Sequence, residues 1–407
     1  MNKKTPELLP FRGVRVLDIS QGLAGPYATQ MLAMMGASVL KVEPPQGDWG
    51  RLMGLRKDGH STLSLSANWN KRSICVDART DEGGEVLRRL ASQSDVVMES
   101  FRPGVIDKIG LGYGVLKDLR PGVILGSISG FGRAGPYAAR PGSDSILQAV
   151  TGMSVMNSNA EGDPQRVGML AVDMITGLYA GFALASALYQ QKLTGEGRHL
   201  DLSLLAGAAA FQAMPIMESF LQGGQRNAHV TVPSGTFEAE DGAISVVCLR
   251  NEMFYALAKV LGHPEWQRDP RFVDNESRQR HAADLHRLLE DVFATRSRAY
   301  WIDRLNEAGV LCGPLNSYVE FLGDPQVNFL DLVPHISHGA FGRIPFPRFP
   351  GAELGAEDLE PAPALGEHTS AVLREAGYDE SDIASLFHSK ACFQAVTTNA
   401  NGRGEPK

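Results

Sequence analysis

The sequence predicts an α/β protein: a parallel sheet covered by helices, followed by a smaller second unit. Three observations predict this fold class. Strand-like and helix-like segments alternate through the first 130 of the 407 residues, a helical region rich in small residues follows over 144–221, and a separate strand pair begins near 236. Alternation of strands and helices is typical of parallel sheets whose faces are covered by helices.

The first region contains five predicted strands. They are VRVLDIS (14–20), SVLKVE (38–43), SICVDA (73–78), DVVMESF (95–101) and VILGSIS (123–129). A helix is predicted between the first two strands, with Pro26 at its start and Gly36 near its end. Another is predicted after Thr80, a favourable N-cap residue. In such sheets, ligands bind beyond the carboxyl ends of the strands.

The second half of the chain predicts a linker, a small unit and a return segment. Residues 221–235 have linker composition, TFEAEDGAISVVC (236–248) predicts a strand pair, and apolar residues at helical spacing predict a helix within 280–296. Residues 333–363 are rich in Pro and Gly and are predicted to be extended. A helical hairpin is predicted over 368–387 and a disordered tail over 393–407.

Composition is that of a soluble globular protein, with 43% apolar and 21% charged residues. The net charge is −7 and no basic stripe is present, which argues against a nucleic-acid partner. The four cysteines lie far apart (Cys75, Cys248, Cys312 and Cys392), so neither a zinc site nor a disulfide framework is indicated. We expect reduced thiols and a cytoplasmic location.

No targeting or membrane-spanning segment is predicted. The N-terminal segment MNKKTPELLPFRG lacks the apolar core of a signal peptide. The uncharged run 174–189 is shorter than the roughly 20 apolar residues of a membrane span, and we interpret it as a buried helix.

The segment GFGRAG (130–135) matches a dinucleotide-binding fingerprint and follows a predicted strand. That fingerprint requires a helix that opens on its last glycines and directs backbone amides at a pyrophosphate. Pro136 follows at once, and turn residues come after it. We therefore favour a plain glycine-rich loop over an NAD site.

Histidines and hydrolase motifs give no further site. No two histidines have metal-ligand spacing beside acids, and His281 and His286 are interpreted as a solvated helix face, so no metal is predicted. A Gly-x-Ser-x-Gly elbow, the mark of an α/β hydrolase, is absent from the sequence.

Five basic residues fall at or just after the ends of predicted strands: Arg79, Arg102, Lys108, Arg133 and Arg140. Each one alone is interpreted as a surface charge. Their shared placement favours a second interpretation, in which the rim of the sheet attracts a polyanionic ligand such as a nucleotide phosphate.

Asp173 stands immediately before sixteen uncharged residues in a helix-like stretch. One interpretation is a helix N-cap. The other is a functional carboxylate, held ionised by the helix dipole at a ligand boundary, and the two are compatible. A carboxylate with an ordinary pKa of about 3.9 is charged at neutral pH and needs no general base to attack an activated carbonyl such as a thioester.

Six ordered segments carry a resemblance to a known family. They are GVRVLDISQGLAGPYATQMLAMMGASVLKVEPPQGDWGR (13–51), NKRSICVDARTDEG (70–83), DVVMESFRPGVIDKIGLGY (95–113), PGVILGSISGFGRAGPYAARPGSD (121–144), VDMITGLYAGFALASALYQQKLTGEGRHLDLSLL (172–205) and LGEHTSAVLREAGY (365–378). With these segments the chain resembles the class III coenzyme A transferases, the formyl-CoA and carnitine CoA-transferase-like enzymes.

The resemblance implies a Rossmann-like large domain made from both chain ends and a small α+β domain, in an interlocked, ring-like homodimer. The large domain is then expected at 1–225 and 331–392 and the small domain at 226–330. The implied reaction moves CoA from an acyl-CoA to a carboxylic acid through an aspartyl mixed anhydride and an aspartyl-CoA thioester. CoA thioester is a substrate, and no permanently bound cofactor or metal is expected.

The resemblance also assigns site residues. Asp173 matches the nucleophilic aspartate, and Asp144 matches an acidic residue near it. The implied CoA-contacting residues are Leu23, Ala24, Val76, Asp77, Ala78, Arg79, Ser100, Phe101, Arg102 and Lys108. Pro44 and Pro141 replace basic residues that some members direct at CoA, and Arg140 is expected to compensate for the second replacement.

Two other functions compete with the transferase. The first is a 2-methylacyl-CoA racemase on the same fold, which needs two acid/base groups astride the α-carbon. Such enzymes typically have a Gly-His-Asp stretch where this chain has Gly142, Ser143 and Asp144, so one proton partner is missing. The second is a non-catalytic CoA-binding dimer, which gives no reason for a charge at Asp173.

Overall fold

The computed structural model describes residues 9–159, 162–224, 230–352 and 354–394. It divides into two compact units. Unit 1 consists of Met1–Met214 and Val333–Lys407, and unit 2 consists of Pro215–Leu332. The part of the predicted linker at 225–229 and the predicted tail at 395–407 lie outside the described residues.

The central sheet of unit 1 has seven strands among the described residues, in the order β14-β5-β2-β1-β6-β7-β8. The strands of unit 1 are β1 (Arg15–Asp18), β2 (Ser38–Glu43), β3 (Arg56–Lys57), β4 (His60–Ser61), β5 (Lys71–Val76), β6 (Val96–Glu99), β7 (Ile124–Ser129), β8 (His199–Ser203), β12 (His335–His338), β13 (Gly342–Pro345) and β14 (Cys392–Phe393). Strands β3–β4 and β12–β13 form two separate antiparallel hairpins. All neighbours in the central sheet are parallel except the edge pair β14–β5.

The order of the parallel strands defines where a ligand is expected. Numbered by their occurrence in the sheet, the six parallel strands have the order 3-2-1-4-5-6, that of the doubly wound Rossmann fold. The order in which strands are added changes direction at β1: β2 and β5 lie on one side of it, and β6, β7 and β8 lie on the other. The crevice beyond the carboxyl ends of β1 and β6 is the topological switch point, where ligands of such folds bind.

Helices cover both faces of the sheet. Those of unit 1 before the boundary are α1 (Ala24–Met34), α2 (Thr62–Ala67), α3 (Asp81–Ser92), α4 (Val105–Lys108), α5 (Tyr113–Leu119), α6 (Asp144–Val150), α7 (Met153–Met156), α8 (Ala171–Thr194) and α9 (Leu204–Phe211). Helix α10 (Ala213–Leu221) crosses the boundary between the units. Thr80 caps α3 through its side chain, as predicted.

Two apolar cores lie on opposite faces of the sheet. One contains Leu17, Ile74 and Val97 together with side chains of α3 and α5. The return segment completes this core with α17 (Thr369–Glu375) and α18 (Glu380–His388), since Leu373 and Ile383 are buried in it. The second core lies between the sheet and helices α1, α6, α8 and α9.

Helix α8 packs closely on α1 because small residues line its inner face. A Cβ at Gly177 would lie 2.9 Å from the carbonyl oxygen of Ala24 and 3.1 Å from the Tyr27 ring. Ala180 and Leu184 continue this buried face. The close approach fixes the start of α8 against the start of α1.

The outer face of α8 is exposed and apolar. Phe182 is 73% exposed, Tyr189 68% and Leu193 68%. By length and composition α8 is able to span a membrane, and so is the pair α9 and α10 if it is counted as one span despite its 67° bend. Half of the most apolar 18-residue window of α8 is buried inside the structure, so the predicted buried helix is buried on one face only.

Unit 2 is a small α+β unit with its own core. It contains the antiparallel strands β9 (Ser234–Ala239), β10 (Gly242–Val247) and β11 (Leu311–Pro314), and the helices α11 (Asn251–Val260), α12 (Asn275–Arg280), α13 (Ala282–Phe293), α14 (Arg298–Glu307), α15 (Tyr318–Gly323) and α16 (Pro325–Phe329). Phe237, Phe254 and Leu289 are fully buried in its core.

Three assignments from sequence need correction. Residues 144–221 are not wholly helical, because His199–Ser203 forms β8 and pairs with β7. Residues 215–224 belong to unit 2 rather than to the large domain. Phe393 is not part of a tail, because it pairs with Cys75 at the edge of the sheet.

The packing of α8 on α1 makes a stability prediction. Gly177→Val should lower the free energy of unfolding by about 1–3 kcal/mol, because the branched side chain meets the backbone of α1. Urea denaturation measures this change. Gly114→Val is the matched control, a helical glycine whose added Cβ meets nothing within 4 Å. Equal effects of the two substitutions would contradict the proposed close packing.

Candidate functional site

A cavity of about 240 Å³ lies in unit 1, at the carboxyl ends of β1, β6 and β7. This is the switch point of the sheet. Most of its lining comes from the ends of these strands, the segments that follow them and the first turns of α6 and α8, and Trp49 after β2 and Leu204 at the start of α9 complete it. The lining residues are Gln21, Leu23, Ala24, Trp49, Ser100, Phe101, Arg102, Pro103, Ile128, Ser129, Gly130, Ala138, Arg140, Pro141, Gly142, Ser143, Asp144, Asp173 and Leu204. Asp144 and Asp173 are the only acidic residues in this lining.

Asp173 lies in the first turn of α8 and faces this cavity, but it is not the N-cap. The N-cap position belongs to Leu170, which provides no side-chain hydrogen bond. The sequence-based interpretation of Asp173 as a cap is therefore wrong. The helix begins two residues before Asp173, so the carboxylate of Asp173 does not cap it. The backbone N–H of Asp173 is one of the first-turn donors that have no partner within the helix.

Asp144 supplies the missing cap from another helix. Its Oδ2 accepts the backbone N–H of Asp173 at 3.0 Å. Asp144 is the first residue of α6 and is 3% exposed. The two carboxylates are thereby held close together at the wall of one cavity, as the resemblance implied when it placed an acidic residue near Asp173.

The pKa of Asp173 differs from the ordinary value that the sequence analysis assumed. Burial raises the pKa of Asp173 to about 7, and the neighbouring charge of Asp144 contributes to the increase. Both effects disfavour the charged form of the carboxyl group. A pKa raised into the neutral range gives Asp173 a protonated population at neutral pH, in contrast to the fully charged side chain expected from the sequence.

Eight of the predicted site residues line the cavity together: Leu23, Ala24, Ser100, Phe101, Arg102, Arg140, Asp144 and Asp173. Val76, Asp77, Ala78, Arg79 and Lys108 do not. The first four form the end of β5 and the turn after it, two strands away from β1 in the sheet. Lys108 ends α4, which follows the Ser100–Arg102 stretch in the chain.

The predicted cationic rim is only partly available to a ligand. Arg79 pairs with Asp77 at 2.7 Å, and Arg133 pairs with Glu99 at 3.4 Å. Arg102 and Arg140 line the cavity itself. The guanidinium of Arg140 stacks on the Tyr137 ring, 3.7 Å from its centroid, which restricts its position.

A buried ion pair fixes the loop after β1. Asp48 accepts the backbone N–H groups of Gly22 at 2.9 Å and Gly50 at 2.8 Å, and it pairs with Lys41 at 3.0 Å. Lys41 also donates to the carbonyl of Ser20. The loop that presents Leu23 and Ala24 to the cavity is therefore fixed by the buried Asp48–Lys41 pair.

A second buried pair holds the end of β1. Asp18 accepts from Lys71 at 2.9 Å and from the hydroxyl of Thr29 at 2.6 Å. Burial alone would raise the pKa of Asp18, but Lys41, Lys71 and hydroxyl donors outweigh it, so the pKa of this carboxyl lies well below its usual range. Asp18 is consequently a structural carboxylate, unlike Asp173.

The sequence analysis did not assign Trp49, a residue of the cavity lining, or its contact with Gly22. Trp49 lines the cavity and its indole ring lies directly against Gly22. Gly22 has φ +83°, and a Cβ there would lie 2.0 Å from the Trp49 ring. The signal for this contact is weak in sequence, because the two residues are 27 positions apart and only the folded loops bring them together.

The turn after β6 is fixed by Glu99. Its buried carboxylate accepts the backbone N–H of Phe101 at 2.6 Å and lies 3.4 Å from Arg133. Burial raises the pKa of Glu99. The bonds hold Ser100 and Phe101 at the cavity wall.

The GFGRAG segment is a loop, as favoured from sequence. No helix opens on it, since α6 starts only at Asp144. A Cβ at Gly130 would lie 2.9 Å from the Cα of Gly142. The glycines here allow two backbones that line the cavity to cross closely, and they do not form the helix start that a dinucleotide site requires.

Metal-ligating groups are not clustered within the four described ranges, where no three His, Cys, Asp or Glu side chains are placed to hold an ion. His281 and His286 are 42% and 47% exposed and lie near Asp284 and Glu290. These contacts agree with a solvated helix face.

Comparison with known proteins decides the family. The family described as CoA-transferase family III matches residues 11–369. The chain belongs to CoA-transferase family III. It is 34% identical over 399 residues to the succinyl-CoA:glutarate CoA-transferase of Homo sapiens, covering 95% of this chain and 91% of that protein. It is also 34% identical over 325 residues to the acetyl-CoA:oxalate CoA-transferase of Acetobacter aceti, covering 78% and 83%.

Solved structures of the family share the fold. The crystal structure of a CaiB/BaiF family protein from Brucella suis matches with a TM-score of 0.79 and 34% identity, covering 90% of this chain and 99% of that chain. The CoA-transferase family III assignment makes this protein an enzyme that transfers CoA between acyl-CoA thioesters and carboxylic acids. The racemase alternative is not favoured.

The raised pKa of Asp173 predicts a measurable pH dependence of stability. A carboxyl group whose pKa is higher in the folded than in the unfolded protein destabilises the fold above its unfolded pKa, here 3.8, and the full penalty is present above pH 7. Asp173→Asn should therefore raise the free energy of unfolding at pH 8, by at most about 4 kcal/mol for a pKa shift from 3.8 to about 7. The gain should shrink as the pH falls from 7 towards 4.

Chemical denaturation at several pH values measures this gain. Asp118→Asn is the control, because Asp118 lies on the exposed surface of α5. A gain at Asp173 that is absent at pH 8, or that is equal at all pH values, would contradict a pKa near 7.

Proposed function

We propose that Asp173 is the nucleophile of the CoA transfer. The observation that carries the proposal is the position of this carboxylate at the wall of the switch-point cavity, beside Asp144 and opposite the segments after β1 and β6. Surroundings that destabilise the charged form of a carboxylate favour a product in which its oxygen is covalently bonded and uncharged. Attack on a thioester replaces that charge with a neutral acyl group.

The reaction then proceeds in exchanges that conserve the energy of the thioester. The ionised Asp173 oxygen attacks the acyl carbonyl, the carbon–sulfur bond breaks, and CoA leaves as a thiolate. The thiolate attacks the aspartyl carbonyl of the mixed anhydride and releases the donor acid. The acceptor carboxylate attacks the resulting aspartyl-CoA thioester, and its carbon–sulfur bond breaks to give CoA thiolate and a second mixed anhydride. The thiolate then attacks the acceptor carbonyl, which forms the new acyl-CoA and releases the Asp173 carboxylate. No proton or electron is gained or lost over the cycle.

CoA is proposed to extend from the cavity along the carboxyl edge of the sheet. Leu23, Ala24 and the 100–102 stretch would contact the part nearest the sulfur, because they line the cavity with Asp173. The 76–79 stretch and Lys108 would then meet the distal part of the cofactor-like substrate. These residues lie outside the cavity, so they can contact CoA only if the bound molecule is long enough to extend from the cavity to them.

The acceptor is proposed to be a short carboxylic acid, with dicarboxylic acids as the first class to test. Relatives carry glutarate and oxalate in their names. Two arginines, Arg102 and Arg140, are among the lining residues of a cavity that also has two carboxylate residues in its lining. A ligand with its own negative charges is favoured next to those guanidinium groups.

The protein is proposed to act as an interlocked, ring-like homodimer in the cytoplasm, without a membrane partner. The exposed residues Phe182, Tyr189 and Leu193 lie on one face of α8, at spacings of seven and four residues. Exposed apolar faces of this kind mark interfaces. A second copy of the chain is the occupant we propose, since the resemblance to class III transferases implies a dimer.

The nucleophile assignment predicts the effect of removing the carboxylate. Asp173→Ala should lower kcat by at least about 10³-fold, because the proposed nucleophile is removed and the other carboxylate of the lining, Asp144, is held by the Asp173 N–H and the Gln148 amide, while CoA binding is retained. Mass spectrometry of exchange between a panel of CoA thioesters and succinate, glutarate, oxalate and acetate measures transfer. Calorimetry with CoA measures binding.

The control for this substitution is Asp118→Ala, on the surface of α5. Wild-type transfer rates in Asp173→Ala would eliminate the mechanism. The same assay separates the racemase: ¹⁸O passing from the acceptor carboxylate to the donor acid is the expected result, whereas deuterium entering Cα from heavy water would favour racemisation.

The dimer assignment predicts an oligomeric state. The wild type should sediment as a dimer at micromolar concentration, and Phe182→Ser with Tyr189→Ser should shift it to monomer or aggregate, because the apolar contact is lost. Val115→Ser, at an exposed apolar site on α5, is the control and should stay dimeric. A monomeric wild type, or a wild type that cosediments with lipid vesicles, would contradict the proposal.

A further inference from the structure

Gln148 connects the two parts of the chain that present the carboxylates. It lies on α6, four residues after Asp144, and is 1% exposed. Its side-chain nitrogen donates to Oδ1 of Asp144 at 2.6 Å and to the carbonyl of Met169 at 3.2 Å. Its side-chain oxygen accepts the backbone N–H of Val167 at 2.9 Å. A carboxylate on one side and an N–H on the other fix the orientation of the amide.

These bonds close a frame around Asp173. Val167 and Met169 belong to the segment that leads into α8, and α8 begins with Leu170 at an N-cap that provides no side-chain bond. Asp144 accepts the N–H of Asp173 with its other oxygen, Oδ2. The first turn of α8 is thus held on one side by the amide of Gln148 and on the other by the carboxylate that the same amide orients.

The amide suits this position because it is neutral. A lysine or arginine next to Asp144 would pair with that carboxylate and reduce the effect of its charge on Asp173, whose backbone N–H it accepts. A carboxylate would add a third negative charge. An amide donates to Asp144 and accepts from Val167 without changing the charge of the pair.

We propose that Gln148 is a positioning residue for the transfer reaction. It sets the location of the Asp173 carboxylate by fixing both Asp144 and the entry of α8, and it does not line the cavity or contact a ligand there. This role rests on the proposed function of Asp173. Misplacement of a reacting group by about 1 Å costs about 10²-fold in rate.

The test is the steady-state kinetics of Gln148→Leu in the full-length enzyme. We expect kcat to fall about 10- to 100-fold, with KM for the acyl-CoA and for the acceptor changed by no more than about twofold. A role in binding would move KM instead. Gln148→Met, whose unbranched side chain adapts more easily to the buried site, should show the same division between kcat and KM.

The matched control is Gln30→Leu. Gln30 is also a buried glutamine, 3% exposed, and its amide likewise joins two backbone groups, the carbonyl of Ser66 at 3.0 Å and the N–H of Trp69 at 2.8 Å. Those bonds do not reach Asp144 or α8. Gln30→Leu should lower thermal stability by an amount similar to Gln148→Leu, while kcat of its folded fraction stays at the wild-type value.

Two results would overturn the inference. One is wild-type kcat in either Gln148 variant. The other is a loss of kcat that the unfolded fraction accounts for fully, as calibrated with Gln30→Leu. The Asp173→Ala assay keeps this failure separate: if that variant is inactive and Gln148→Leu is fully active, only the positioning role is lost, whereas an active Asp173→Ala removes the proposed function itself.

Discussion

A single hydrogen bond, from the backbone N–H of Asp173 to the carboxylate of Asp144, organises the site. It replaces the side-chain cap that Leu170 cannot give to α8. It also places two acidic side chains together at one cavity, where burial, and to a smaller extent the charge of Asp144, raise the pKa of Asp173. The contact between Asp144 and Asp173 therefore stabilises the start of α8 and, at the same time, disfavours the charged form of Asp173. A site that disfavours the free carboxylate favours its acylated form, which is the property that an aspartate nucleophile needs.

The surrounding fold holds this pair where a thioester can reach it. The strand order places the cavity at the topological switch point, and α8 lies against α1 at Gly177, where an added Cβ would meet the carbonyl oxygen of Ala24. The loops opposite are fixed by groups that are themselves buried: Asp48 with Lys41 below the loop after β1, and Glu99 below the turn after β6. Asp48 and Glu99 each have a basic partner that compensates the charge of the carboxylate. Asp173 differs, because its charged neighbour is a second carboxylate.

Much of this arrangement follows from sequence. The predicted strands before residue 130 all occur, Thr80 caps its helix, and the GFGRAG segment is a loop. Short-range patterns specify these features, because strand alternation, capping and turn residues act over a few positions. The cap of α8 could not be found in this way, since Asp144 lies 29 residues before Asp173. The short strand β8 was missed within a helical region, and the pKa of Asp173 depends on burial and a neighbour that only the folded chain supplies. The spacing of Asp144 and Gln148, four residues apart on one helix, is the one local signal of the frame.

Direct capture of the covalent intermediate tests the central claim. The enzyme is incubated with a CoA thioester donor and no acceptor, hydroxylamine is added at neutral pH, and peptides are mapped by mass spectrometry. An aspartyl-CoA thioester is converted by hydroxylamine to a hydroxamate on the side chain that carried it. The account predicts the hydroxamate on Asp173 alone, dependent on the donor. Its absence there under conditions of active transfer, or its appearance on another side chain, would contradict the account.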